Sequence, residues 1–327
     1  MKIAVIHDYA DALRRTRAYP RLQGHEVRIF NDAYTDPARV VTQASGCDAL
    51  LLTQQRVTVT RAILEQLPQL KFISQTGRNV DHLDVQACTD LGILVSAGGH
   101  DSKSPYTATG ELAWALILAS MRHLPYEVER FRQGHWQSTT GTRLYGHTLG
   151  IYSYGHIGSG VARVGQAFGM NVVCWGREAS LARAKAEGFE AAASRAAFFE
   201  QCDVISLHIK SNKDTHGIIT ASDLARMKTT ALLVNTSRAP IIEDGALVAA
   251  LKKGRPGFAA VDVYEEEPVV GASHPLLKLP NALCTPHLGY SEGGSYEHIY
   301  DTGVDQLLAY AAGQPVNVLN PQAAGKR

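Results

Sequence analysis

Three residues in the second half of the chain bear the side chains that a carbonyl reduction needs. Arg238 ends LLVNTSR, Glu267 stands just before Pro268 in DVYEEEP, and His287 lies within LCTPHLG. A planar guanidinium can hold a carboxylate and the neighbouring carbonyl oxygen with paired donors. An imidazole titrates where it can give a proton to that oxygen or take one from the alcohol. A carboxylate bonded to its second nitrogen orients the ring and favours its charged form. The set suits hydride transfer to a carbonyl beside a carboxylate. Each residue alone has a plainer reading. Arg238 could be a surface ion pair, Glu267 the end of a solvated run with Glu265 and Glu266, and His287 one of 13 histidines capping a loop. All three follow apolar runs, however, and open α/β sheets place ligands at strand ends.

A hydride carrier has a place upstream. The apolar run Leu149 to Tyr152 enters Ser153-Tyr154-Gly155-His156-Ile157-Gly158, and a helix-like stretch from Ile157 to Phe168 leaves it. A pyrophosphate needs backbone N–H groups at a helix start with no side chains in the way, which glycines allow. Gly155 and Gly158 hold the second and third glycine positions of the G-x-G-x-x-G pattern, with His156 and Ile157 between them. Ser153 holds the first, and adds a Cβ where the turn is tightest. The next strand-like run, NVVCWG, ends at Gly176 without the acidic residue that takes the ribose hydroxyls of NAD. Arg177 could pair with a 2′-phosphate and Glu178 could still reach the ribose. The cofactor is therefore read as NAD or NADP, with a slight lean to NADP.

Short apolar runs alternate with helix-like stretches through both halves of the chain. KIAVIHD, EVRIFND, ALLLT, FISQTG and ILVSAG form a first series; LGIYSYG, NVVCWG, VISLHI, ALLVNTS, FAAVDV and ALCTPH form a second. That alternation predicts doubly wound parallel sheets of the α/β class. Amphipathic Thr60 to Leu67 reads as a helix, and Gly98 to Pro105 is a polar, glycine-rich breaker. Helices are expected over Tyr106 to Met121, with Glu111 near the positive end of the helix dipole, over Pro125 to Gln133, and over Ser295 to Tyr310. The tail from Pro315 to Lys326 reads as extended and poorly anchored.

The 327 residues suffice for two domains. A net charge of +1 offers no general field for nucleic acid or acidic membrane. Five scattered cysteines form neither a disulfide framework nor a zinc site, and point to a reducing cytoplasm. The N-terminus lacks a signal-peptide layout, the longest apolar run, Leu112 to Ala119, is too short to span a bilayer, and no ligand-spaced cluster suggests a metal.

Taken with Leu207-His208, Asn235-Thr236-Ser237-Arg238, Asp262 to Pro268 and Thr285 to Gly289, the glycine turn gives the chain a family resemblance over nearly its whole length. It resembles the D-isomer-specific 2-hydroxyacid dehydrogenases, which include phosphoglycerate dehydrogenases and glyoxylate and hydroxypyruvate reductases. The resemblance implies a flavodoxin-like substrate domain, residues 1–99 plus 291–327, and a Rossmann NAD(P)-binding domain, residues 100–290, with the site in the cleft between them. It implies that Arg238 binds substrate, that His287 is acid or base, and that Glu267 pairs with it. Backbone N–H groups of Arg78, Asn79 and Val80 would hold the substrate carboxylate; Asn79 stands where the family usually has glycine, which places an amide near the substrate. Arg78 could favour a second anionic group, and Tyr290 could touch substrate. Asp262 would bond the nicotinamide amide, with Asn235, Thr236 and Gly289 along the same pocket. His208 would stand near the adenosine half, beside Lys210 where proline is usual. A homodimer through the cofactor domain is also implied.

Two other readings remain open at this point. A formate- or phosphite-specialised relative would be expected to carry glutamine at position 267 in the formate case. A nucleotide-sensing regulatory protein on the same fold, like the C-terminal-binding co-repressors, would keep the nucleotide turn without turnover.

Overall fold

The structure is a computed structural model and describes residues 1–53, 55–98 and 107–326. The chain divides into two compact units, Met1–Lys103 with Glu292–Arg327, and Ser104–Ser291.

The first unit is built on β1 (Lys2–Ile6), β2 (Glu26–Ile29), α1 (Ala38–Ala44), β3 (Ala49–Leu52), α2 (Arg61–Leu64), β4 (Phe72–Gln75), α3 (Val85–Asp90) and β5 (Leu94–Ala97). Its described strands form a parallel sheet in the order β2-β1-β3-β4-β5. β3, β4 and β5 are buried at every position, as strands covered on both faces must be. One face packs Ile6, Leu50, Leu52 and Ile73 against Val40, Ile63 and Ala87 of the following helices. The other packs Ile3, Val5, Leu51 and Phe72 against Tyr300, Val304 and Leu307 of a helix that returns from the far end of the chain.

The second unit begins with α4 (Ala108–Met121) and α5 (Leu124–Arg132), then alternates β6 (Thr148–Tyr152), α6 (His156–Ala167), β7 (Asn171–Trp175), α7 (Glu178–Ala186), β8 (Glu190–Ala191), α8 (Arg195–Gln201), β9 (Val204–Leu207), α9 (Ala221–Arg226), β10 (Leu232–Asn235), α10 (Ala246–Lys252), β11 (Phe258–Val261) and β12 (Ala282–Cys284). The returning helix of the first unit is α11 (Gly293–Ala311). The described sheet is parallel in the order β12-β11-β10-β9-β6-β7-β8, which is a Rossmann order with one further strand. The order in which successive strands are added reverses between β6 and β9, the place where doubly wound sheets bind ligands.

Every strand marked by an apolar run ends one to three residues short of that run. The trailing residues, such as Ser153, His208, Thr236 and Asp262, leave the ladder and form the loops at the strand ends. Only Arg61–Leu64 of the helix expected over Thr60 to Leu67 forms, and the breaker lies almost wholly outside the described residues. β8 has no apolar run and was invisible to periodicity.

The tail corrects an expectation. It is anchored rather than loose: Val318 bridges antiparallel to Ser96, and the buried Asn320 accepts from Val95 N at 2.8 Å while donating to Ile93 O at 3.0 Å and Thr89 Oγ1 at 3.1 Å. One asparagine amide meets backbone groups at the free edge of β5, a satisfaction that polarity alone does not reveal.

Candidate active site

The glycine turn forms with serine at its first position. Ser153 is left-handed, at φ 76, and its N–H donates to Trp175 O at 2.7 Å. Gly155 caps α6, and a Cβ built on it meets nothing within 4 Å, so its backbone is open to a ligand. A Cβ on Gly158 would lie 2.5 Å from Ser153 O and 3.1 Å from Ile151, so this glycine lets α6 sit against β6. His156 and Ile157 form the first turn of α6, whose N–H groups point along the positive end of its dipole. Tyr154 is buried, and its hydroxyl donates to Glu187 at 2.8 Å, tying the turn to the end of α7.

Around this turn stand the other proposed cofactor residues. Gly176 follows β7 at φ 157, with Ser153 Cα 3.4 Å from where its Cβ would be. Arg177 and Glu178 are exposed, and neither side chain has a hydrogen bond or ion pair among the described residues. His208, after β9, lies against Gly158, with Nε2 3.0 Å from Ser206 Oγ. Burial pushes its imidazole down to about 4, so it stands neutral beside the turn. Asn235 Oδ1 accepts from Ser237 N at 3.0 Å and its amide donates to Arg238 O at 3.0 Å, fixing the loop after β10. Thr236 Oγ1 is buried without a partner among the described residues, which suits a cofactor contact.

Arg238 is exposed, with Nη1 donating to Ser237 O at 2.7 Å, and pairs with no carboxylate among the described residues. Glu267 and His287 meet: Glu267 Oε2 is 2.6 Å from His287 Nδ1. An ionised carboxylate only accepts, so Nδ1 carries a proton and Nε2 becomes the nitrogen on the reacting side. Glu267 Oε1 accepts from Tyr264 N at 2.9 Å, so both oxygens are engaged. The Tyr290 ring stands 5.9 Å from that of His287.

Asp262 has a role that the sequence reading missed. Its buried carboxylate accepts from Thr285 Oγ1 at 2.6 Å, Leu288 N at 2.7 Å and Gly289 N at 2.8 Å. It thereby clamps both sides of His287, and Gly289 O in turn accepts from Thr109 Oγ1 at 2.9 Å. Burial pushes the Asp262 carboxyl above the usual carboxylate range, against those hydrogen bonds and the nearby imidazole. Tyr264, two residues on, donates its hydroxyl to Thr285 O at 2.9 Å. Its signal was the tyrosine in DVYEEEP, whose hydroxyl must find a partner when buried.

In the first unit, the loop after β4 holds Arg78, Asn79 and Val80. Asn79 is exposed, and its Oδ1 accepts from Asp81 N at 2.8 Å, closing a local turn. The N–H groups of Asn79 and Val80 have no partner among the described residues. No group of three or more metal-ligating side chains occurs among the described residues, and no described helix is long and apolar enough to cross a membrane.

A Rossmann sheet with a dinucleotide turn at its switch point, a cation and a hydrogen-bonded carboxylate–imidazole pair defines a nicotinamide-dependent oxidoreductase. Comparison with known proteins agrees. The family model described as D-isomer specific 2-hydroxyacid dehydrogenase, NAD binding domain, matches residues 114–289. The glyoxylate reductase of Aeropyrum pernix is 35% identical over 93% of this chain and 92% of its own. The D-3-phosphoglycerate dehydrogenase of Methanocaldococcus jannaschii is 36% identical over 74% of this chain, which spans 46% of that protein. A crystal structure of a phosphoglycerate oxidoreductase from Vibrio cholerae O395 superposes with a TM-score of 0.89 at 44% identity, covering 96% of this chain and 99% of the other.

The chain belongs to the D-isomer specific 2-hydroxyacid dehydrogenase family. It is an enzyme that interconverts 2-oxo and 2-hydroxy acids with an NAD(H)-type cofactor, and the regulatory-sensor reading is not favoured.

Proposed function

We propose that this enzyme reduces a small 2-oxo acid to the D-2-hydroxy acid, with Arg238, Glu267 and His287 as its catalytic residues. The observation that supports this most is the 2.6 Å contact between Glu267 and His287 on consecutive strand-end loops. Glu267 holds Nδ1, and Nε2 of His287 delivers the proton to the carbonyl oxygen as hydride arrives at carbon. The Arg238 guanidinium, unpaired with any described carboxylate, binds the substrate carboxylate and the developing oxyanion. Residues 104–291 bind the dinucleotide, which supplies the hydride when bound. Ser153, Gly155, His156, Ile157 and Gly158 would hold the pyrophosphate, Gly176, Arg177, Glu178 and His208 the adenosine side, and Asn235, Thr236, Asp262 and Gly289 the nicotinamide side. The loop after β4 serves as the carboxylate-binding element through its backbone amides at Asn79 and Val80, which have no partner among the described residues, with Arg78 and Tyr290 as further substrate contacts.

The first experiment measures NADH and NADPH oxidation against glyoxylate, hydroxypyruvate, pyruvate and bulkier 2-oxo acids. Turnover is expected, and Arg238→Ala should lower kcat/KM by about 100-fold or more. An unchanged rate in that variant would remove Arg238 from the mechanism. The exposed Arg177 favours NADPH; Arg177→Gln should then lower the NADPH-to-NADH ratio of kcat/KM about tenfold. A ratio that does not move assigns the ribose to Glu178.

A homodimer is proposed through α5. That helix has no buried residue, and Leu124, Tyr126, Val128, Phe131 and the following Trp136 are 48%, 53%, 48%, 64% and 76% exposed. A monomer does not carry such a concentration of apolar surface without a use for it, and a second copy is the proposed cover. Light scattering should give twice the chain mass, falling to one chain in Phe131→Glu; a monomeric wild type would contradict the proposal.

A further inference from the structure

Glu267 is the last of three consecutive carboxylates in the loop after β11, and Glu265 bears the same group two residues earlier. The structure gives Glu265 an imidazole of its own: His274 Nε2 lies 2.8 Å from Glu265 Oε2. One loop thus carries two carboxylate–imidazole pairs, Glu267 with His287 and Glu265 with His274. The tautomer of the second pair follows from its other nitrogen. Leu276 N donates to His274 Nδ1 at 3.3 Å, so Nδ1 accepts and the proton sits on Nε2, facing Glu265.

His274 is fixed from the core side. The bond from Leu276 caps a 3-10 turn, Pro275–Lys278, and Leu276 is buried in the same apolar cluster as Tyr264. The His274 ring meets the Tyr264 ring edge to face, with centroids 4.9 Å apart. Tyr264 in turn donates its backbone N–H to Glu267 Oε1 at 2.9 Å and its hydroxyl to Thr285 O at 2.9 Å. His274 therefore holds two residues of the loop that carries Glu267, one by a hydrogen bond and one by a ring contact. The side chains of His274 and Glu265 are 14% and 53% exposed. A pair so open on one side is worth little as an ion pair. Its value is geometric, since a misplacement of about 1 Å at a reacting group can cost about 100-fold in rate.

We propose that His274 is a positioning residue for the reaction. It occupies Glu265 and braces Tyr264, so that Glu267, and not Glu265, is presented to His287. This rests on the reading of Glu267 and His287 as the proton-transfer pair.

The test follows glyoxylate reduction by NADH and by NADPH from about pH 5 to about pH 10, the span across which an imidazole titrates. His274→Asn keeps a capping acceptor for Leu276 N, but has no ring and no group at the place of Nε2. It is expected to lower kcat about fivefold while KM for glyoxylate stays within about twofold. The high-pH limb of kcat should also move to lower pH, because a poorly placed Glu267 favours the imidazolium of His287 less. A variant that was merely less stable would scale the profile without moving that limb. Glu265→Ala should give the same two changes, and the double variant should be no worse than His274→Asn. Glu265→Gln, which keeps an acceptor for Nε2, should lose less than Glu265→Ala. A wild-type kcat in His274→Asn, or a lower kcat with the limb in place, overturns the proposal. If His274→Asn does not fold, Glu265→Ala, at a half-exposed side chain, carries the same comparison. His287→Gln separates this proposal from the reading beneath it, and should lower kcat about 100-fold or more. Turnover retained there would sink the proton-transfer reading itself. Its loss beside an unaffected His274→Asn would strike the positioning role alone.

Discussion

Ser153 occupies a backbone position, φ 76, that glycine takes without strain and that costs a side chain about 1–2 kcal/mol. The sequence marked it as a defect in the nucleotide turn, and the turn forms nevertheless, because Ser153 N–H is paired to Trp175 O and Tyr154 beyond it is buried and bonded. Ser153→Gly removes the strain but loosens the unfolded chain, a difference that should leave a gain of about 0.5–1 kcal/mol in urea unfolding. NADH affinity should stay within about threefold. Gly158 is the opposite case. Its missing Cβ would sit 2.5 Å from a backbone oxygen, not from a flexible side chain. Gly158→Ala should cost about 1–3 kcal/mol and weaken cofactor binding as α6 shifts from β6. If alanine were tolerated and glycine at 153 were harmful, the assignment of strain within the turn would be reversed. These effects belong to single backbone positions. Spacing locates Gly155 and Gly158 but does not say which of the two is crowded.

At the scale of elements, the site is a set of loops that begin where strands stop. The apolar runs announced the strands, but not that their last residues leave the ladder, because hydropathy does not distinguish a buried strand residue from a buried loop residue. The extension of β11 shows the consequence. Asp262 and Tyr264 follow Val261 and brace the neighbouring loop after β12: Asp262 through Thr285, Leu288 and Gly289, Tyr264 through Thr285 O. Tyr264 N also holds Glu267. Arg238, Glu267 and His287 were legible from their frames, whereas this brace was not, since it depends on hydrogen bonds between loops about twenty residues apart. Tyr264→Phe deletes one of these bonds and leaves Thr285 O to solvent or unmet. One such bond is worth about 1 kcal/mol, so kcat should fall about fivefold with little change in KM. A variant that changed KM alone would show that Tyr264 serves binding and not the placement of His287. Asp262→Asn should do more, because an amide cannot accept from all three donors.

For the whole molecule, acid sensitivity is divided between the two units. His7 in the first and His208 in the second are both held near a pKa of about 4 by burial, against an ordinary value of 6.5. A histidine with a lowered folded value binds its proton more readily once unfolded. Its neutral burial is therefore without penalty above pH 6.5, becomes progressively destabilising as pH falls, and stops adding once pH drops below about 4. In that window each histidine contributes a slope of up to about 1.4 kcal/mol per pH unit, about twice that when both units unfold together. Chemical denaturation at several pH values should show the slope. His7→Asn should reduce it by about half while leaving the acid response of the second unit in place. A wild-type slope unchanged by His7→Asn would mean that His7 is not held neutral in the folded protein. The acid response would then have to be sought in the carboxylates, such as Asp223, whose ion pair with Arg195 is lost at lower pH.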